Sequence, residues 1–193
     1  MQALLLVLLG VFVAAQAGAA TLTMVGTKGV AKEYTTEALL ARPDVETIEI
    51  AKDAAYGGDA TYRGIRLSLM LAGEAMDGAD ILVVTATDGF VAQLPLATVL
   101  NDRSAGAIAY LAVEDPTKPW PKLKGKDLTA GPFYIVWSNP ERSAIPLQAW
   151  PYRIARLEMK ESVEKRYPAM VVADGDVPVD VEIGGPGLPA LSL

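Results

Sequence analysis

Apolar positions along this chain come in short runs, some alternating with polar residues and some continuous, with turn-forming residues between them. From Thr21 to Gly26, Leu22 and Met24 share one side, which predicts a first strand. Thr35 or Thr36 can cap a short helix running to Ala41, with Glu37 in the first turn where the helix dipole favours an anion; Pro43 stops it. Val45 to Ala51 alternates with mixed faces and predicts a strand, and Gly57-Gly58 marks 54–59 as a loop. Tyr62-Arg63-Gly64-Ile65 leads into a helix over Leu67 to Ala75. There Leu67, Met70, Leu71 and Glu74 follow helical spacing, and Gly73 weakens the last turn.

Ile81 to Ala86 is a β-rich run, Asp88-Gly89 is the strongest hairpin signal in the chain, and Val91 to Leu94 returns as the partner strand. Pro95 fits the first turn of a short helix ending at Leu100, where its missing N–H costs nothing. Ala107 to Val113 and Phe133 to Trp137 read as apolar strands, separated by a polar loop over Asp115 to Asp127. Ser138 to Pro146 is a loop, and Ile154 to Met159 closes the domain as a last strand. Strands interleaved with short helices and hairpins predict a mixed α+β domain over 21–160, not a regular βαβ array. Residues 161–193 read as a connector and a flexible tail. Within the tail, the alternation of Val177, Val179, Val181 and Ile183 leaves an edge strand open as the other reading.

Composition narrows the picture. The 193 residues are 51% hydrophobic and 21% charged, which are globular values for one domain. Seventeen Lys+Arg against 23 Asp+Glu give a formal charge of −6, which argues against a nucleic-acid partner. Ala3 to Ala15 is an apolar run without charge and too short to span a bilayer comfortably. The small-x-small sites Ala15-Gln16-Ala17 and Ala17-Gly18-Ala19 follow it. Residues 1–20 are therefore expected to be a signal peptide, although Met1-Gln2 adds no basic residue, leaving a periplasmic or secreted protein with no stable membrane span; a buried N-terminal helix or a retained anchor is the other reading. Cysteine and histidine are both absent. That excludes, within this chain, a Ser-His-Asp or Cys-His site, an attached c-type haem and a thiolate-held metal.

The order of segments resembles a known family. Tyr34-Thr35-Thr36-Glu37-Ala38-Leu39-Leu40-Ala41-Arg42-Pro43 is similar to the helix that opens small bacterial proteins of the sulfite-oxidase-type molybdopterin-binding fold. Tyr62-Arg63-Gly64-Ile65-Arg66-Leu67 with Met70-Leu71, and Ala86-Thr87-Asp88-Gly89-Phe90 with Leu94-Pro95-Leu96, resemble two further segments of that family. So do Ala107-Ile108-Ala109-Tyr110, Gly131-Pro132-Phe133-Tyr134-Ile135-Val136-Trp137, and the closing stretch from Trp150 to Glu158. The resemblance covers about Thr21 to Met159 and implies a compact, mostly-β core with short helices. In full-length enzymes of this superfamily the domain binds molybdopterin, and a cysteine thiolate coordinates the metal. This chain has no such cysteine, and no histidine to contact the pterin phosphate. Glu164 to Pro168 resembles a connector that precedes a c-type cytochrome segment in some relatives, which suggests a cytochrome as partner.

Candidate ligand-binding residues follow from two sources. Arg63 and Arg66 flank Gly64 in a region that in the family lies near the pocket, and arginine makes fork-shaped contacts to phosphate or carboxylate. Trp137, Ser138, Asn139 and Arg142 form a polar cluster just past an apolar strand, either a binding surface where tryptophan stacks a ring while Asn and Arg orient polar groups, or a capped loop with a half-buried tryptophan. Asp88 offers either a carboxylate at a pocket mouth or simply a turn. Lys118, Trp120, Lys122, Lys124 and Lys126 make one basic island, either an anion-steering surface or a solvated loop. Asp53, Asp59, Glu74, Asp77, Asp80, Glu114 and Asp115 stand in no paired catalytic motif, so no catalytic residue and no metal ligand is assigned.

Three functional classes follow. The first is an exported, non-catalytic binding or accessory module in periplasmic redox metabolism, with no cofactor expected and a c-type cytochrome or other redox protein as partner. The second is a molybdopterin-dependent oxidoreductase that holds its cofactor through Arg63, Arg66, Asn139 and backbone groups. The third is a structural or protein-interaction domain.

Overall fold

The computed structural model describes residues 19–103 and 105–166. Most of the expected leader and the tail from Pro168 lie outside the described residues. The chain divides into two units at Glu161/Ser162. In the second unit a short helix runs over Val163–Arg166, with the Lys165 N–H donating to Ser162 Oγ at 3.1 Å.

The first unit is built on two sheets. Strands β1 (Thr21–Val25), β2 (Ala31–Thr35), β5 (Ile81–Ala86), β6 (Val91–Pro95) and β9 (Ile154–Lys160) form one, in the order β2-β1-β9-β5-β6. Strands β3 (Glu46–Ile50), β4 (Ala60–Arg66), β7 (Ala109–Val113) and β8 (Phe133–Trp137) form the other, in the order β3-β4-β7-β8. Every pairing is antiparallel except β1 with β9. Three short helices, α1 (Thr36–Leu40), α2 (Leu67–Leu71) and α3 (Leu96–Val99), each follow directly on a strand. Among the described residues no helix is long and apolar enough to cross a membrane.

One hydrophobic cluster draws on both sheets. Leu22, Met24, Leu82, Val84, Leu94 and Leu157 enter it from the five-stranded sheet, and Ile50, Ile65 and all of β7 and β8 from the other. The alternation in β5 and β6 reads directly as buried and outward positions, as expected for strands with one solvated face. Strand β8 lies at a sheet edge yet is wholly buried. The 151–152 segment covers it, with Pro151 C=O accepting from the Ile135 N–H at 3.1 Å and Tyr152 bridging Tyr134.

Several expectations shift. Thr35 caps α1 as read, its hydroxyl accepting from the Ala38 N–H. Strand β2 was invisible to periodicity because it is an outer edge with no fully buried position. Helix α2 ends at Leu71 and does not run on to Ala75: the chain leaves it in a turn, the Glu74 N–H donating to the Leu71 carbonyl at 3.0 Å, and the Ala75 carbonyl beyond accepts both the N–H and the Oγ1 of Thr27, at 2.9 and 3.1 Å. Pro95 is the last residue of β6, opposite Ile81, and precedes α3 instead of sitting in its first turn. On an edge strand a residue whose N–H would face outward loses nothing by being proline.

Gly64 is required by close approach. A Cβ there would lie 2.6 Å from the Leu111 carbonyl oxygen and 3.1 Å from Ala112 Cα on the neighbouring strand. Gly64→Ala should therefore lower the free energy of unfolding by about 1–3 kcal/mol in urea denaturation. A variant as stable as the parent would show that β4 and β7 can separate without cost.

Candidate functional site

The 51–59 loop between β3 and β4 folds around one carboxylate. Asp53 Oδ1 accepts the N–H groups of Ala55 and Tyr56 at 2.9 and 3.0 Å, while its own N–H donates to the Gly58 carbonyl at 2.7 Å. Lys52 and Gly57 adopt positive φ, 52° and 71°, to close this loop. Glycine takes such a φ without cost, whereas the strain at Lys52 persists only where the surroundings enforce it. Asp53 is 1% exposed.

The second carboxylate oxygen, Asp53 Oδ2, shares a buried neighbourhood with the hydroxyls of Tyr62 and Tyr134. The three interact electrostatically, yet none makes a hydrogen bond of normal geometry. Burial pushes the Asp53 carboxyl above the usual aspartate range, and the Tyr56 and Ala55 N–H groups and the two phenols hold back part of that rise. Both phenols are pushed far up, first by burial and then by the facing carboxylate.

Aromatic rings extend outward from this point. Tyr62 packs edge-on against Tyr134 at 5.8 Å between ring centres and against the half-buried Trp120 at 4.9 Å. Tyr134 also meets Trp150 and Tyr152, each at 6.4 Å, and Trp150 leans on Trp137 at 5.0 Å. Above Tyr62 a cleft of about 520 Å³ opens between the start of β4 and the 118–127 loop, lined by Tyr56, Trp120, Lys122 and Lys124 among others. A second hollow of about 470 Å³ lies beside Asp53, bounded by Lys52, Gly57, Leu147 and Gln148.

The residues expected from sequence sit elsewhere. Arg63 donates to the Leu40 carbonyl at 3.1 Å. Arg66 pairs with Glu46 through two nitrogens at 2.8 and 3.3 Å, and Tyr110 OH joins the same carboxylate at 3.2 Å. Asp88 is exposed in the hairpin turn, its Oδ1 accepting from the Phe90 N–H, beside Gly89 at φ 87°. Trp137 is fully buried. Ser138 Oγ accepts from the Ile108 N–H at 3.2 Å, Asn139 Nδ2 donates to the Gly106 carbonyl at 2.7 Å, and Arg142 donates to the Ala105 carbonyl. These last three lie together as read, tying the 138–142 loop to the 105–108 segment. Asp53 was indistinguishable in sequence from six other carboxylates, and Tyr56, Tyr62 and Tyr134 carried no motif. A tyrosine within an otherwise apolar run was the available signal, since its buried hydroxyl calls for a polar neighbour.

No family model matches the chain, and no curated protein matches it. Among solved structures it is similar to sulfane dehydrogenase SoxCD from Paracoccus pantotrophus, with 19% identity and a TM-score of 0.51. The likeness covers 76% of this chain and 40% of that one, so the chain spans well under half of its neighbour's length. The first unit thus has a compact α+β fold of the sulfite-oxidase type, with a mostly-β core and short helices. At this identity the similarity to SoxCD is one of fold.

The residues present do not fit the molybdopterin group that the family resemblance implies. The sequence has no thiolate to hold the metal, and among the described residues no three His, Cys, Asp or Glu side chains gather to replace it. Of the residues offered for holding the cofactor, Arg66 pairs with Glu46, and Arg63 and Asn139 each donate to a backbone carbonyl.

The Asp53 environment has a pH consequence. A carboxyl raised in the native state binds its proton more tightly there than in the unfolded chain. Its stabilising contribution is complete below the ordinary aspartate value of about 4 and is lost as pH rises through the native value. Asp53→Asn keeps an oxygen for the Ala55 and Tyr56 N–H groups but removes the charge. Urea unfolding at acidic and neutral pH should show a smaller loss on raising the pH for Asp53→Asn than for the parent. An equal loss in both proteins would contradict this account of the buried carboxyl.

Proposed function

We propose that this chain is a binding or accessory module of extracytoplasmic redox metabolism that uses the sulfite-oxidase-type fold without catalysing. The observation that carries this reading is the engagement of Arg63, Arg66, Asn139 and Arg142 by the protein itself, in a chain that offers no thiolate. An oxidoreductase reading needs Arg63, Arg66 and Asn139 to hold a cofactor. A fold can host unrelated functions, so the shared architecture does not transfer an activity.

The aromatic cleft beside Trp120 supports the binding part of the proposal, because it offers concave, partly apolar surface of ligand size. The apolar stretch within residues 1–20 supports export to the periplasm or the medium. A c-type cytochrome or another redox protein is the partner proposed for it there.

Elemental analysis and oxidised-pterin fluorescence on protein purified from its native host test the non-catalytic reading. Molybdenum and pterin are both expected to be far below one per chain. Stoichiometric metal with pterin would overturn the proposal and return the chain to the oxidoreductase class.

A further inference from the structure

The basic island on the 118–126 loop is unexplained by anything above. Four lysines fall within nine positions of a protein whose formal charge is −6. The loop that carries them is held at several points. Glu114 Oε1 accepts the Trp120 N–H at 2.7 Å, and Leu123, itself buried, exchanges backbone hydrogen bonds with Lys126 and Leu128. Lys126 reaches the Tyr152 hydroxyl at 3.1 Å and lies over that ring. On the facing wall Tyr56 is fixed by accepting the Ala130 N–H at 3.0 Å.

The cleft between these walls therefore has its aromatic side chains in place before any ligand arrives, and preorganisation of this kind lowers the cost of binding. Trp120, partly exposed and in T-shaped contact with Tyr62, supplies apolar ring surface to the cleft. Lys122 and Lys124 stand at its rim. Lys122 meets Asp127 in a pair whose side chains are 68% and 90% exposed, a contact that contributes little and yields readily to a competing anion. Lys124 forms no ion pair among the described residues. The one acidic lining residue, Asp59, accepts the Lys52 N–H through Oδ1 at 3.1 Å.

We propose that the cleft bounded by Tyr56, Trp120, Lys122 and Lys124 binds a small organic anion built on a flat ring, of the aromatic carboxylate or sulfonate class. The ring stacks against Trp120 and the acid group meets the two ammonium groups. A volume of about 520 Å³ suits a compact ligand of one or two rings. This assignment rests on the reading of the chain as a binding module and gives that module a ligand class.

Isothermal titration of the full chain with naphthalene-2-sulfonate, 2-naphthylmethanol and inorganic sulfate tests it. The sulfonate should bind about tenfold or more tightly than either the uncharged alcohol or the ringless anion. Its affinity should fall with added salt, because the charges involved are exposed. Lys122→Gln combined with Lys124→Gln changes only exposed side chains and should weaken the sulfonate by about tenfold, while Lys28→Gln, far along the chain on another loop, leaves it unchanged. Trp120→Leu should abolish the preference for the ring-bearing anion over sulfate. Equal affinity for alcohol and sulfonate, sulfonate binding indifferent to the double lysine change, or no binding at all would each overturn the proposal. None of these outcomes bears on the molybdenum content, which is read separately, so failure of the ligand assignment is distinct from failure of the non-catalytic reading.

Discussion

The carboxylate of Glu114 is the contact on which the wall of the Trp120 cleft depends. It stands just past β7 and joins two points of the long loop that separates β7 from β8. One oxygen takes the Trp120 N–H at 2.7 Å and the other the Thr129 hydroxyl at 3.0 Å, while the Glu114 N–H donates to the Pro132 carbonyl. Hydrogen bonds to an ionised acceptor are the stronger kind, and two from one side chain fix a loop of this length in a single arrangement. Gly131 makes room for it, since a Cβ there would lie 2.0 Å from Oε2. Through this side chain the end of β7 holds the Trp120 backbone, while the Leu123–Leu128 and Lys126–Tyr152 contacts hold the rest of the loop that walls the cleft.

Much of the scaffold was legible because it obeys short-range rules. The alternation in β5 and β6 with Asp88-Gly89 between them, the continuous apolar runs of β7 and β8, and the Thr35 cap of α1 are each written within a few residues. What was hidden depends on distant parts of the chain. Strand β2 presents no buried stripe, so only its pairing with β1 reveals it. The segment after α2 is tied down by Thr27, far earlier in the chain, which donates to the Ala75 carbonyl.

The same distinction governs the site. Asn139 and Arg142 carry the side chains of a binding loop, yet their partners at Gly106 and Ala105 come from another part of the sequence and turn them into a clasp. Asp53, Tyr62 and Tyr134 meet only because β4, β7 and β8 lie side by side with the 51–59 loop against them. The absence of cysteine and histidine was the one site-level fact fully visible in sequence. The structure adds that Arg63, Arg66, Asn139 and Arg142 each have a partner within the protein, and that a separate cleft is lined by Lys122 and Lys124.

Amide hydrogen exchange on Glu114→Ala compared with the parent chain tests this dependence most directly. Loss of the carboxylate should leave protection in Leu82–Val84 and Ala109–Val113 intact while the Trp120 amide and the rest of the 116–129 loop exchange faster, as a locally opening unit does. Unchanged protection at Trp120, or an equal loss across both sheets and the loop, would contradict the claim that the Glu114 carboxylate holds Trp120 onto an independently stable core.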